Sequence, residues 1–447
     1  MVKGGWQSML AGAIASDRLS FELPARRKFS RDFFHFSPVL SRELGHEVAD
    51  CIVWPTNEEE LDDVLSVAVS CRVPITVRGG GTGNYGQAVP LAGGIVVDMS
   101  QLNQLLEVQG DTISVQAGAK MGRMEAAARE LGKELRIYPS TFQTATIGGF
   151  ISGGSGGIGS IEWGTVWDGI VRSMTIKTIE EKPRIIRVAG EHVQPYIHNY
   201  GVSGIVTELA IALTEKHEWM QWAITFDAYN EALDFGLGLA DNQGIKKRLI
   251  SIHEAEIARY FTTLKLPHDK AVALLEIAQE DGAELLRWVE ECGGTVSLRI
   301  PSSRYHLGTG VSDHAWNHTT LWARKMDSNM TYLQTRFSPT DYWTQMAALK
   351  AAFPECLLHV ELMRSKGKLV VSGLPLLRYT TDDRLQMMID FCQSIGVSVA
   401  NPHTWRLEFG GRSPELVRLG QLKRQNDPYG LLNPLKLEYS LGPEQAV

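Results

Sequence analysis

The sequence predicts an α+β protein: a glycine-rich first half followed by a second α+β lobe that covers it. Three observations carry that expectation. The chain has 447 residues, more than one core of about 100–200 residues organises. Its first half reads strand, helix, strand, then several strands, a helix and more strands, which is not a regular βαβ alternation. Two glycine clusters interrupt that half, whereas from residue 217 onward tryptophans and longer helical patterns take over.

Residues 1–44 read as an N-terminal arm with one weakly amphipathic helix. Residues 52–54 form a short strand. Thr56 then caps a helix, with Glu59 three residues on completing a capping box and Leu61, Val64, Leu65 and Ala68 at helical spacing. Pro74 stops it, and residues 75–77 are the next strand. Residues 94–99 and 112–116 read as strands, the latter alternating at period two, and residues 121–131 as a helix ending at Gly132. A further strand lies within residues 169–180. In the second lobe, residues 254–264 and 269–288 read as helices, and residues 295–300 and 356–362 as strands. Residues 416–436 are a helix followed by a turn-rich tail. The implied organisation is an arm (1–44), a glycine-rich domain (45–216), a covering domain (217–415) and a C-terminal segment (416–447).

The formal charge of -7 and pI near 6 argue against non-specific nucleic-acid binding, which needs a basic face. The five cysteines are scattered without a Cys-x-x-Cys pair, so zinc-ribbon and iron–sulfur ligation have no support. Reduced, packed thiols in a cytoplasmic protein are expected. No signal peptide is expected at the N-terminus. No apolar run reaches the roughly 18 residues that cross a bilayer, which leaves peripheral membrane contact open.

The first cluster is Arg78-Gly-Gly-Gly-Thr-Gly-Asn-Tyr-Gly86. Gly81-x-Gly83-x-x-Gly86 matches the dinucleotide fingerprint literally, but that motif needs a helix to open at once. Pro90 and the paired Gly93-Gly94 forbid one. What remains is a nest of bare backbone amides suited to a diphosphate, with Thr82 and Asn84 able to add side-chain hydrogen bonds. The second cluster has seven glycines in residues 148–159, preceded by Tyr138-Pro-Ser-Thr141 and Thr144-Ala-Thr146. Small residues and hydroxyls over so long a stretch suit a large flat ligand. Together the two clusters fit a dinucleotide better than a mononucleotide.

These residues, with Trp54-Pro-Thr-Asn57, Ile95-Val-Val-Asp-Met-Ser100, Tyr200-Gly-Val-Ser-Gly-Ile-Val-Thr207 and Asp427-Pro-Tyr-Gly-Leu-Leu-Asn-Pro434, resemble the vanillyl-alcohol-oxidase/p-cresol-methylhydroxylase flavoprotein family. Within it the chain is most similar to FAD subunits of glycolate and D-lactate dehydrogenases. The resemblance covers residues 45–216 and the tail. It implies a two-lobed FAD-binding domain with an α+β substrate cap, and FAD as cofactor. By position it places Gly79, Gly80, Gly81, Thr82 and Gly83 at the pyrophosphate, with Arg78, Asn84 and Gln87 also in the cofactor site. Pro139, Ser140 and Thr141 fall near the ring and ribityl chain, and Thr146, Gly149, Ser152, Gly153 and Gly156 along the flavin. Ile205 and Val206 close on the adenine side, and Asn433 and Lys436 return from the tail. Some relatives attach FAD through a histidine in the first loop. None stands here, so non-covalent FAD is expected.

The implied reaction is hydride transfer from a 2-hydroxy acid, glycolate or D-lactate, to the flavin. It needs a base, usually histidine, and a carboxylate clamp, usually arginine. Two segments offer them: Trp316-Asn-His318 with Arg324 and Arg336, and His403-Thr-Trp-Arg406-Leu-Glu408 with Arg412. The expected catalytic set is His403, His318, Arg336 and Arg406. In a strand Arg406 and Glu408 would share a face and could pair, as could His359 and Glu361. The His-x-Gly-Asp-Gly-Asn-x-His and Gly-Glu-His-Gly stretches by which several relatives bind a metal are absent, so no metal is expected. That departure keeps open an alditol or sugar-lactone oxidase, or a non-catalytic FAD-binding subunit. The electron acceptor is open among oxygen, a quinone and a partner protein.

Overall fold

A computed structural model describes residues 5–410 and 416–438. The arm holds three helices among its described residues, Gly5–Ala13, Leu23–Phe29 and Pro38–Leu44, rather than one. It also supplies an edge strand, Leu19–Ser20, that pairs with Cys51–Val53. The first lobe is a four-stranded sheet in the order Leu19–Ser20, Cys51–Val53, Ile95–Asp98, Ile75–Arg78, the last three parallel. Helix Glu58–Cys71 packs on it through Leu61, Val64, Leu65 and Ala68, all fully buried. That helix is capped one residue later than expected. Asn57 accepts the Glu60 amide at 2.9 Å. Thr56 instead binds the Glu60 carboxylate through its amide (2.8 Å) and hydroxyl (2.9 Å). The sequence Thr-Asn offers two good caps in a row, and Arg18 on the Glu60 carboxylate settles the choice. The helix ends at Arg72 in the left-handed region (φ 55°), before Pro74 is reached.

The second lobe is an antiparallel sheet centred on Ile205–Glu215, flanked by Thr112–Gln116 and Val171–Lys177. Helix Met121–Glu130 lies in its core cluster. The second glycine cluster is partly helical: Thr146 caps a short helix, Ile147–Gly153, accepting the Gly149 amide at 3.3 Å.

The cap is an eight-stranded sheet in the order Thr295–Ile300, Trp219–Phe226, Ala271–Ala278, Lys247–His253, His359–Ser365, Lys368–Gly373, Thr335–Phe337, Ser398–Val399. Its core gathers Trp222, Phe226, Phe235, Leu275, Ile277 and Val360. Two expected helices are only partly found here. Residues 269–288 divide into a strand, Ala271–Ala278, buried at every position, and the start of a helix, Gly282–Glu291; a continuous apolar run satisfies a doubly covered strand as well as a helix. Residues 254–264 contain only a single helical turn, Ala255–Ala258. No described helix is long and apolar enough to cross a membrane, and none of the five cysteines is in a disulfide.

Candidate functional site

A cavity of about 890 Å³ lies where the two glycine clusters meet the cap sheet. Its first-lobe wall is bare backbone because the clusters pack on each other without room for side chains. A Cβ added at Gly80 would overlap the Thr144 carbonyl oxygen, and one at Gly79 the Thr146 hydroxyl. Gly81 turns the loop at φ 62°, a conformation glycine takes at no steric cost. Gln87 ties the clusters together, donating from Nε2 to the Gly153 carbonyl at 2.9 Å.

The tail closes this wall. Asn433 donates to the Tyr200 (2.8 Å) and Gly201 (2.9 Å) carbonyls and accepts the Val77 amide (3.2 Å). It thereby bolts the tail to the strand that leads into the first loop. The fully buried Lys436 ammonium nitrogen donates to the Gln87 carbonyl, and burial pushes its pKa down to about 7. Arg78 curls over Gly81, donates to the Arg31 carbonyl at 2.5 Å and faces Asp98 at 3.4 Å. Asn84 reaches across to the cap, donating to the Tyr332 hydroxyl at 2.5 Å.

Every residue assigned to the cofactor above, from Arg78 through Val206 to Asn433, lines this one cavity; Lys436 stands behind its wall. The glycine cradle, which Cβ atoms would fill, fits the backbone approach that a dinucleotide requires. The arm adds Asp32, Phe33 and Phe36, which sequence reasoning missed because no motif surrounds them. The Asp32 carboxylate accepts the Phe34 (2.9 Å) and Ala88 (3.3 Å) amides, and burial pushes its pKa up to about 6.

On the cap side the catalytic candidates separate. His318 and Arg336 line the cavity. Burial lowers the pKa of His318, so the ring is neutral near pH 7. Arg336 is exposed within its strand and has no ion pair among the described residues. Register places it in a polar row across five strands, Ser251–Glu361–Ser372–Arg336–Ser398. Such cross-strand neighbours share a face.

His403 and Arg406 are not brought to the cavity. Residues 401–410 form turns rather than a strand. His403 is buried, with Nδ1 at 2.8 Å from the Ser37 hydroxyl and Nε2 at 2.9 Å from the Tyr332 carbonyl. Burial pushes its pKa down to about 4. The neutral ring accepts from Ser37 and donates to Tyr332, leaving neither nitrogen for substrate. Arg406 pairs with Glu438 at 2.9 Å, not with Glu408. Arg412 lies outside the described residues. His359 and Glu361 do pair, at 2.8 Å, fully buried behind the cavity wall. No group of three or more potential metal ligands occurs among the described residues.

Residues 49–194 match the family model described as an FAD binding domain. The glycolate oxidase subunit GlcD of Bacillus subtilis is 30% identical over 180 residues, 38% of this chain and 38% of that protein. A D-lactate dehydrogenase of Archaeoglobus fulgidus is 28% identical over 195 residues, 41% and 43% respectively. The chain thus spans well under half the length of these relatives. GlcD of Escherichia coli (strain K12) is 22% identical over 433 residues, 86% of this chain and 83% of the other. In structure, an alkyldihydroxyacetonephosphate synthase superposes with a TM-score of 0.75 at 16% identity, covering 98% of this chain and 86% of that one. That likeness establishes the fold.

Proposed function

We propose that this chain, whose residues 49–194 form an FAD-binding domain of the p-cresol-methylhydroxylase type, oxidises a 2-hydroxy acid of the glycolate or D-lactate kind to the 2-oxo acid. FAD, bound without a covalent link, supplies the two-electron acceptor. The observation that carries the reading is Arg336. It is a cation without an ion pair among the described residues, on the cap wall of the cavity that the glycine clusters line.

The arginine fork suits a carboxylate bidentately. The Arg336 guanidinium holds the acid's carboxylate, and serines 372 and 398, its register neighbours, offer hydroxyls beside it. The neutral His318 ring accepts the hydroxyl proton as the carbinol hydrogen leaves as hydride. The cap sheet keeps water from the reacting carbon. The named activities of the bacterial and archaeal relatives support this substrate class. Oxygen, a quinone or a partner protein then takes the electrons.

One observation favours a polyol instead. Asn317, Gln334, Ser365, Ser372 and Ser398 also line the cap side, and hydroxyl-bearing substrates use such groups. Anaerobic titration of the purified holoprotein separates the readings. Bleaching of the flavin by glycolate or D-lactate is expected. Arg336→Gln should retain FAD while KM rises about 10–100-fold, the loss of a charge-assisted hydrogen bond. Bleaching by an alditol or sugar lactone alone moves the assignment to the polyol. No bleaching by any of them leaves an electron-relay subunit.

A further inference from the structure

Trp316 stands at the start of helix Asn317–Met326 with φ 53° and ψ -140°. That corner of backbone space belongs to glycine, and a side-chain-bearing residue there costs on the order of 1–3 kcal/mol. It persists only where the surroundings hold it.

The hold here is a buried carboxylate. Glu361, 1% exposed, accepts the Trp316 backbone N–H on Oε1 at 2.6 Å. The same oxygen accepts the Ser251 hydroxyl at 2.7 Å and meets His359 Nε2 at 2.8 Å. Ser251 in turn meets His253 Nε2 at 2.8 Å, and the two imidazoles stack at 4.4 Å. Two histidines and a serine thus fix one carboxylate oxygen, and that oxygen fixes the strained tryptophan. Nothing about this cluster resembles a surface ion pair, since all four side chains are buried.

The indole it positions is only partly buried against the core. It lines the cavity, and a Cβ placed at Gly156 would lie only 3.1 Å from the outer edge of the ring. The ring therefore reaches from the cap to the second glycine cluster. Its Nε1–H is shielded and has no hydrogen-bond partner among the described residues. A buried donor costs about 1–3 kcal/mol when unpaired, and a ligand oxygen that reaches this edge of the ring on binding would remove that cost. Glu361 also lies in the same cross-strand row as Arg336, which ties the buckle to the wall that bears the cation.

We propose that Trp316 is a substrate-contacting residue. Its indole closes the cavity against Gly156 and gives Nε1–H to an oxygen of the bound hydroxy acid. Glu361, set by Ser251 and His359, is the positioning residue that holds it there. The substrate half of this rests on the preceding reading.

The test uses holoprotein variants. Trp316→Gly suits the local backbone and deletes the ring, Trp316→Phe deletes only the N–H, Glu361→Ala removes the buckle, and Glu361→Gln keeps an acceptor. KM and kcat come from hydroxy-acid titrations; FAD affinity and bound-flavin fluorescence are read without substrate. Trp316→Phe should raise KM about tenfold with kcat within about threefold and FAD affinity unchanged. Glu361→Ala should match Trp316→Gly, and Glu361→Gln should stay near the parent protein. Parent KM in both tryptophan variants overturns the proposal, as does a Glu361→Ala that loses only stability. If no hydroxy acid reduces the parent, the substrate reading fails by itself. The flavin then decides the rest: brighter bound flavin in Trp316→Gly and Glu361→Ala, but not in Glu361→Gln, sustains the positioned indole, and unchanged fluorescence overturns it.

Discussion

At the scale of single residues, the site divides into positions that matter for lacking a side chain and positions that matter for what a side chain touches. Gly79 and Gly80 belong to the first kind, since each is pressed against the other glycine cluster. Their role is legible in sequence because close backbone approach has one residue-type solution. His403 belongs to the second kind and shows why a histidine's role is not legible. Beside Arg406 in the sequence it suggests a base, yet both ring nitrogens are spent joining Ser37 of the arm to Tyr332 of the cap. His403→Ala leaves those two groups unpaired and is expected to cost about 2–3 kcal/mol of stability. Urea denaturation measures that cost. KM and kcat should stay near those of the parent, and a folded variant without turnover would return His403 to the reaction.

Elements were readable where periodicity and punctuation agreed. Strand Thr112–Gln116 and helix Met121–Glu130 lie where alternation and a terminal glycine put them. Ala271–Ala278 was not, because eight successive buried positions erase the period that separates helix from strand. The arm was under-read for a related reason: its short helices take their stability from contacts with the first lobe, not from their own amphipathicity. The cap of helix Glu58–Cys71 gives the element-scale test. Asn57→Ala should cost about 1 kcal/mol, measured as a lower urea midpoint with an unchanged slope. A neutral result would mean that Thr56 and Glu60 alone carry that helix start.

The whole molecule is joined by buried polar contacts between the second lobe and the cap. Arg248 from the cap lies 4.5 Å from the Tyr138 ring and 3.3 Å from Glu134. Tyr305 joins Tyr138 at 2.6 Å to Glu276 at 2.9 Å. Arg248, Ser312 and Asp313 also act on Glu276, but burial dominates and pushes its carboxyl up to about 7 from the ordinary 4.5. Between those values the unfolded chain has lost this proton and the folded protein keeps it. Stability therefore falls as pH rises through that window, by about 3 kcal/mol for the single group, and levels off above it. Urea denaturation of the parent and of Glu276→Gln at pH 5 and pH 8 isolates the effect. The parent should lose stability relative to the variant on going to pH 8, and a constant difference would place the titration elsewhere.

The sequence by itself determined the mixed α+β class, the two glycine clusters and the residues that line the cofactor side of the cavity. The class and the clusters follow from local rules, glycine for close approach and period for strand and helix; the remaining cofactor-side residues, those of the tail included, were implied by the family resemblance. Only the tertiary structure decided which candidates on the cap face the cavity. It brings Arg336 and His318 to the cavity, leaves His403 and Arg406 outside its lining, and sets Trp316 on the Glu361 carboxylate. The reason is register. Arg336, Ser372 and Glu361 become neighbours through strand pairing between segments distant in sequence. Such pairing is chosen by the packing of the whole cap, not by any stretch of chain read alone.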